Sequence, residues 1–75
     1  MIKTINAEST SDEAQSIIAG DQVRQGDITG KVLKLTAKLV GNVASYVYLI
    51  QLKNGSMIEI STIVSDYAGN AKHVI

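Results

Sequence analysis

The sequence predicts a small all-β domain in which five strands close into a barrel. Residues 31–40 alternate between apolar and polar side chains with a period of two, which is typical of a strand with one buried face. The dipeptide Asn54-Gly55 separates two further alternating runs and predicts a β-hairpin. Closure into a barrel removes free strand edges, which would otherwise promote aggregation of so short a chain.

The N-terminal segment is small and polar, unlike the rest of the chain, and we divide the sequence into an arm (residues 1–16) and a barrel domain (residues 17–75). Thr10 and Glu13 fit a capping box at the start of a short helix that Gly20 would end. So short a helix is marginal on its own. A flexible arm therefore remains an equal alternative.

From Gly20 onward, strand patterns alternate with turn signals. The predicted strands cover residues 22–24, 31–40, 44–53, 56–61 and 71–75. Residues 62–67 alternate weakly and are predicted to form a single helical turn. Ile2 and Ile5 fit an additional edge strand.

The loop of the Asn54-Gly55 hairpin decides which side chains face the interior. A two-residue loop would place Glu59 among the apolar side chains. We expect a three-residue loop instead, with Gly55 in the left-handed conformation as a bulge. That loop pairs Leu52 with Ser56, Ile50 with Ile58, and Tyr48 with Ile60. The inward face then consists of Tyr46, Tyr48, Ile50, Leu52, Ile58 and Ile60.

The same register leaves the opposite face of the hairpin half apolar, which is not expected of a fully solvated face. Contiguous exposed aliphatic side chains are typical of an interaction surface. The alternative is that isoleucines of the N-terminal segment cover them. The predicted protein interface comprises Val32, Val40, Val47, Leu49, Gln51, Met57 and Glu59, in which Gln51 and Glu59 form the polar rim.

Basic residues form a second surface feature. The candidate nucleic-acid contacts are Arg24, Lys31, Lys34 and Lys38, with Tyr46 or Tyr67 available for base stacking. Seven basic and seven acidic residues give a formal net charge of zero, whereas nucleic-acid modules usually carry a concentrated basic face. We therefore favour the interpretation that these lysines keep a long strand soluble and protect its edge.

No residue pattern indicates catalysis, and neither a metal nor a cofactor is predicted. His73 is the sole histidine and cysteine is absent, so no thiolate site and no recognisable triad is present. Asp21 and Asp27 flank a predicted strand, but Asp beside Gly is ordinary turn chemistry. Residues 26–31 lack the spacing of a phosphate-binding loop.

The length of 75 residues corresponds to one domain that buries roughly 60% of its unfolded surface, so a partner subunit would add stability. No apolar run approaches the ~20 residues that span a bilayer, and no basic and apolar leader begins the chain. We expect a cytoplasmic protein that does not contact a membrane.

The segments Gly20-Asp21-Gln22-Val23-Arg24, Thr29-Gly30-Lys31-Val32 and Asn54-Gly55-Ser56 resemble the strand and turn pattern of SH3-like small barrels, notably KOW and Tudor-type modules. The resemblance covers residues 20–75 and implies a five-stranded SH3-like barrel that acts by binding. Three tyrosines are too few for the aromatic cage of a methyl-lysine reader. The start of the chain's first strand is also similar to plasmid-borne dihydrofolate reductase barrels. Those barrels carry Val-Gln-Ile-Tyr where this chain has Met57-Ile58-Glu59-Ile60, so no activity is transferred.

These observations predict a non-enzymatic, homo-oligomeric binding module that engages a protein partner, of the size of phage or plasmid accessory proteins. Two alternatives stay open. One is a nucleic-acid-binding barrel that uses the lysine-bearing strand. The other is a small-ligand or nucleotide site at a subunit interface.

Overall fold

The computed structural model describes residues 1–67, which form six β-strands and one short α-helix. The elements are β1 (Ile2–Thr4), β2 (Glu8–Ser9), α1 (Ser11–Gln15), β3 (Gln22–Gln25), β4 (Ile28–Val40), β5 (Val43–Leu52) and β6 (Met57–Val64). All six strands belong to one sheet, in the order β1-β3-β4-β5-β6-β2. The prediction of an all-β fold is confirmed. The strand predicted over residues 71–75, with His73, lies outside the described residues.

The prediction of a closed, five-stranded barrel is wrong, because the sheet has six strands and is open between β1 and β2. These two strands lie at opposite edges, where β1 pairs in parallel with β3 and β2 pairs in parallel with β6. The N–H of Ile5 donates to the carbonyl of Arg24, and the N–H of Ile63 donates to the carbonyl of Ala7, both at 2.9 Å. Residues 1–16, which the sequence sets apart as an arm, thus supply both edge strands and the helix.

The helical interpretation of the N-terminal segment is confirmed. Thr10 caps α1, since its Oγ1 accepts from the N–H of Glu13 at 3.2 Å. In return, Oε1 of Glu13 accepts from the N–H of Thr10 at 3.0 Å. The helix ends at Gln15 rather than near Gly20, so its predicted end is wrong. Gly20 instead adopts a positive φ of 98° in the following turn.

The hairpin of β5 and β6 has the predicted three-residue loop. The N–H of Leu52 donates to the carbonyl of Ser56 at 2.8 Å, and Gly55 adopts a φ of 89°. The pairs Ile50 with Ile58 and Tyr48 with Ile60 form as predicted. The expected inward side chains all belong to the core or pack against it, namely Tyr46, Tyr48, Ile50, Leu52, Ile58 and Ile60. The predicted inward face is confirmed.

A β-bulge at Leu33 interrupts β4. Val32 pairs with Ile50 and Lys34 pairs with Leu49, so Leu33 is the extra residue of β4 at this point. The extra residue reverses the alternation, and Val32 therefore faces the core with only 1% of its surface exposed. The prediction that Val32 belongs to an exposed interface is wrong for this reason.

The end of β6 takes the place of the predicted helical turn. The strand continues to Val64 because Ser9 of β2 pairs with that residue. The hydroxyl of Thr62, buried beneath this pairing, donates to Oγ of Ser9 at 3.0 Å. The helical turn predicted over residues 62–67 is therefore wrong.

Candidate binding face

The candidate site is the outer face of the sheet, which we define as the face turned away from the buried core. The strand registers place its side chains in rows that run across β4, β5 and β6. The rows are Lys31, Gln51 and Met57; Lys34, Leu49 and Glu59; Thr36, Val47 and Ser61; and Lys38, Ser45 and Ile63, with Glu8 of β2 beside Ile63. Directly opposed residues have Cβ atoms about 4.5–5.5 Å apart, so each row presents a continuous set of side chains.

An apolar strip, consisting of Val47, Leu49, Met57 and Ile63, crosses the outer face. Val47 and Leu49 are half-buried on β5, whereas Met57 is 61% exposed and Ile63 is 44% exposed on β6. Leu49 is the diagonal neighbour of Met57, and Val47 is the diagonal neighbour of Ile63. Sequence reasoning missed Ile63 because it ended the strand too early. The alternation that begins at Met57 continues through Ile63 and would have identified it.

The two predicted rim residues lie where the sequence places them. Gln51 pairs with Met57, and Glu59 pairs with Leu49. Both side chains are exposed on the outer face. They therefore adjoin the apolar strip in neighbouring rows.

Val40 lies apart from the apolar strip. It pairs with Val43 at the tip of the β4–β5 hairpin, and the row of Lys38 and Ser45 separates this pair from Val47. Val40 is 63% exposed and Val43 is 47% exposed. The predicted patch is thus two apolar surfaces, and sequence reasoning missed Val43 as a member of the second.

The isoleucines of the N-terminal segment do not cover the apolar strip. Ile5 and Ile17 are buried in the core on the opposite side of the sheet. Ile2 and Ile18 are themselves 48% and 58% exposed. The alternative interpretation of the apolar surface therefore does not apply to residues 1–67.

All four candidate nucleic-acid contacts lie on the outer face. The bulge in β4 brings Lys31 to the same face as Lys34 and Lys38, and Arg24 lies on the neighbouring strand β3. None of the four forms an ion pair with a carboxylate within residues 1–67, where the ion pair found joins Lys3 and Asp21. Half of the outer face is therefore locally basic, although the chain as a whole has no net charge.

The carboxylates with perturbed pKa values are held by local contacts. Nζ of Lys3 lies 2.8 Å from Oδ2 of Asp21, and this hydrogen bond, with one from the N–H of Ile18, lowers the pKa of Asp21. The N–H and O–H of Ser11 donate to Oδ1 of Asp66 and lower its pKa. Each contact fixes a turn or a helix start. Within the described part of the chain, no three histidine, cysteine or carboxylate groups are arranged to hold a metal ion.

The comparisons with known proteins identify no relative. No protein-family model matches the chain, and neither the curated proteins nor the solved structures contain a significant match. No helix within residues 1–67 is long and apolar enough to cross a membrane.

Proposed function

We propose that this chain is a non-enzymatic binding module that contacts protein through the outer face of its sheet, and in the first place a second copy of itself. The observation that carries the proposal is the apolar strip, which neither α1 nor the N-terminal segment covers. Contiguous exposed aliphatic side chains bordered by polar residues are the usual composition of a protein interface. The resemblance to SH3-like modules, which stays a prediction, also implies binding.

The apolar strip is suited to a flat protein surface. Val47 and Leu49 lie half-buried at its centre, Val47 between Thr36 and Ser61 and Leu49 between Lys34 and Glu59. Charged residues such as Lys34 and Glu59 lie beside this centre and can define orientation. Association would remove Met57 and Ile63 from water and add to the stability of a small core.

The experiment that tests this function places a charge in the apolar strip. Leu49→Lys and Met57→Lys should each raise the dissociation constant of the oligomer at least roughly tenfold, because a lysine buried in the interface loses hydration without a partner. Sedimentation equilibrium over a wide concentration range measures this constant, and circular dichroism checks that the strand content persists. Ile18→Lys, an equally apolar-to-charged change at an exposed position outside the sheet, serves as the control.

Two results would contradict the proposal. A protein that stays monomeric and captures no protein partner would remove the function assigned to the strip. Loss of the folded signal in Leu49→Lys, with an intact Ile18→Lys, would mean that Leu49 is a core residue.

The second candidate function is binding of single-stranded nucleic acid, and the basic half of the outer face favours it. Four cations without carboxylate partners would release about three counterions on binding to phosphates, at about 0.7 per contact. Titration of an oligonucleotide at several salt concentrations should then give a log–log slope near −3. Replacement of Lys31, Lys34 and Lys38 by glutamate should abolish binding of the oligonucleotide. Lys53→Glu in the hairpin loop is the control and should change the affinity little.

A further inference from the structure

We propose that two copies of this chain pack outer face against outer face about a two-fold axis parallel to β5, so that Lys34 of each copy pairs with Glu59 of the other. This inference rests on the proposed function, because it specifies the partner and geometry of the same face. It follows from the order of charges across the sheet.

One row of the outer face contains a basic, an apolar and an acidic residue, in that order. Lys34 on β4, Leu49 on β5 and Glu59 on β6 are directly opposed across three adjacent strands. Lys34 and Glu59 are exposed, and neither forms an ion pair within residues 1–67. Two strand spacings, about 10 Å, separate their backbones, so Leu49 lies between the two charges.

A two-fold axis along β5 makes this row complementary to itself. The rotation keeps each residue at its height along the strands and exchanges the two sides, so β4 of one copy lies over β6 of the other. Lys34 then faces Glu59 of the second copy, while Leu49 faces Leu49 of the second copy. Aligned sheets pack about 10 Å apart, a gap that extended lysine and glutamate side chains span together.

The neighbouring rows agree with the same axis. Thr36 comes over Ser61 of the second copy, and Val47 meets its symmetry equivalent. Lys38 comes over Ile63 and next to Glu8, which is the second acidic residue of the outer face. Charged or polar residues therefore face each other in the rows of Lys34 and Thr36, whereas Lys31 and Lys38 cover Met57 and Ile63 of the second copy.

Of the two aligned arrangements of facing sheets, the one with its axis perpendicular to the strands is disfavoured. With the axis perpendicular to the strands, β4 of one copy would lie over β4 of the other. The strand that carries Lys31, Lys34 and Lys38 would then lie against its own copy, and like charges brought together are destabilising. Among aligned packings, the charge order thus favours the axis along β5.

Charge exchange tests the inference. Lys34→Glu and Glu59→Lys should each weaken the dimer roughly tenfold or more, because symmetry turns two attractive contacts into two repulsive ones. The double variant Lys34→Glu with Glu59→Lys should restore the dissociation constant to near that of the native chain. The matched control combines Lys31→Glu with Glu59→Lys; it has the same charge but no restored contact, since Lys31 would face Met57.

The outcomes separate this inference from the proposed function. If the native chain dimerises and Leu49→Lys disrupts the dimer, yet neither double variant recovers, the outer face associates in another orientation and the inference is refuted. Equal recovery in both double variants also refutes it, because net charge alone would then explain the effect. If the native chain does not associate at all, both this inference and the self-association it specifies fail together.

Discussion

The substitution Tyr48→Phe tests how the helix is attached to the sheet. Tyr48 is fully buried, and its hydroxyl donates to the carbonyl oxygen of Ala14 in α1 at 2.7 Å. A five-residue helix is not stable on its own, so this hydrogen bond is part of what holds it. The carbonyl of Ala14 retains a second, longer bond from the N–H of Ile17 at 3.4 Å. The loss at neutral pH should therefore be about 1 kcal/mol rather than the larger cost of an orphaned group.

The same hydroxyl makes stability depend on pH. Burial, with a smaller contribution from the charge of Tyr46, raises the pKa of Tyr48 to about 12 from 10.0. Between these values the unfolded chain loses the phenolic proton while the folded chain keeps it, so the free energy of unfolding falls as pH rises. The difference of about two between the folded and unfolded pKa corresponds to about 2–3 kcal/mol of the free energy of unfolding. This contribution is fully present below pH 10 and is lost towards pH 12.

Urea denaturation of the native chain and Tyr48→Phe at several pH values measures both effects. The native chain should be more stable by about 1 kcal/mol at neutral pH, and this advantage should disappear and reverse as the pH approaches 12. Tyr67→Phe is the control, because Tyr67 is exposed and does not contribute to the raised pKa of Tyr48. If the free energies of unfolding of Tyr48→Phe and the native chain differ by the same amount across this pH range, the reasoning is refuted.

Two matched pairs of substitutions test the local geometry by the same denaturation measurement. Gly30→Ala should lower the free energy of unfolding by about 3 kcal/mol, because the new Cβ would collide with Cγ2 of Ile50 and lie 2.7 Å from the backbone oxygen of Gln51. Gly41→Ala is the control and should cost only about 1–2 kcal/mol, because Gly41 has a positive φ but open space around it. Equal costs for the two substitutions would contradict this. Thr10→Ala should lower the free energy of unfolding by about 1 kcal/mol, because the helix cap is lost, whereas Thr10→Ser should be nearly neutral. An equal loss of stability in both variants would show that the hydroxyl is not the stabilising group.

The parts of the fold that the sequence predicts depend on neighbouring residues. The β5–β6 register follows from the apolar alternation on either side of Gly55, since only one loop length makes the inward face uniformly apolar. The helix start follows from Thr10 and Glu13, which lie three residues apart. In both cases the residues that determine the structure lie within a few positions of it.

The parts that the sequence does not predict depend on distant pairing or on one extra residue. The edge strands form because residues such as Ile2 and Glu8 pair with Gln22 and Ile63, and no local pattern encodes those partners. For this reason the sequence alone does not distinguish an open sheet from a barrel. The predicted apolar strip lacks Ile63 for the same reason, since β6 extends to Val64 through its pairing with β2.

The bulge had one signal in the sequence, which is the spacing of the lysines. In a regular strand, Lys31 would lie on the face opposite to Lys34 and Lys38, where it would enter the core. An extra residue between Lys31 and Lys34 places all three outward, and apolar Leu33 occupies that position. The three lysines of the candidate face therefore depend on the bulge.

Deletion of Leu33 should accordingly destabilise the fold less than deletion of Thr36. Without Leu33, Val32 and Lys34 become consecutive residues opposite Ile50 and Leu49, and every later pair keeps its partner and its face. Without Thr36, the strand must either lose the bulge, which turns Lys34 inward, or keep it, which turns Lys38 inward. The first outcome moves a lysine into the half-buried position of Leu35, and the second turns Lys38 off the outer face into the exposed position of Ala37. This deletion should therefore cost more than the about 1–2 kcal/mol expected for deletion of Leu33. Because the deletion of Leu33 also preserves the row of Lys34, Leu49 and Glu59, it should leave association through the outer face intact. Equal destabilisation by the two deletions in thermal melts would mean that the bulge does not set the faces of β4.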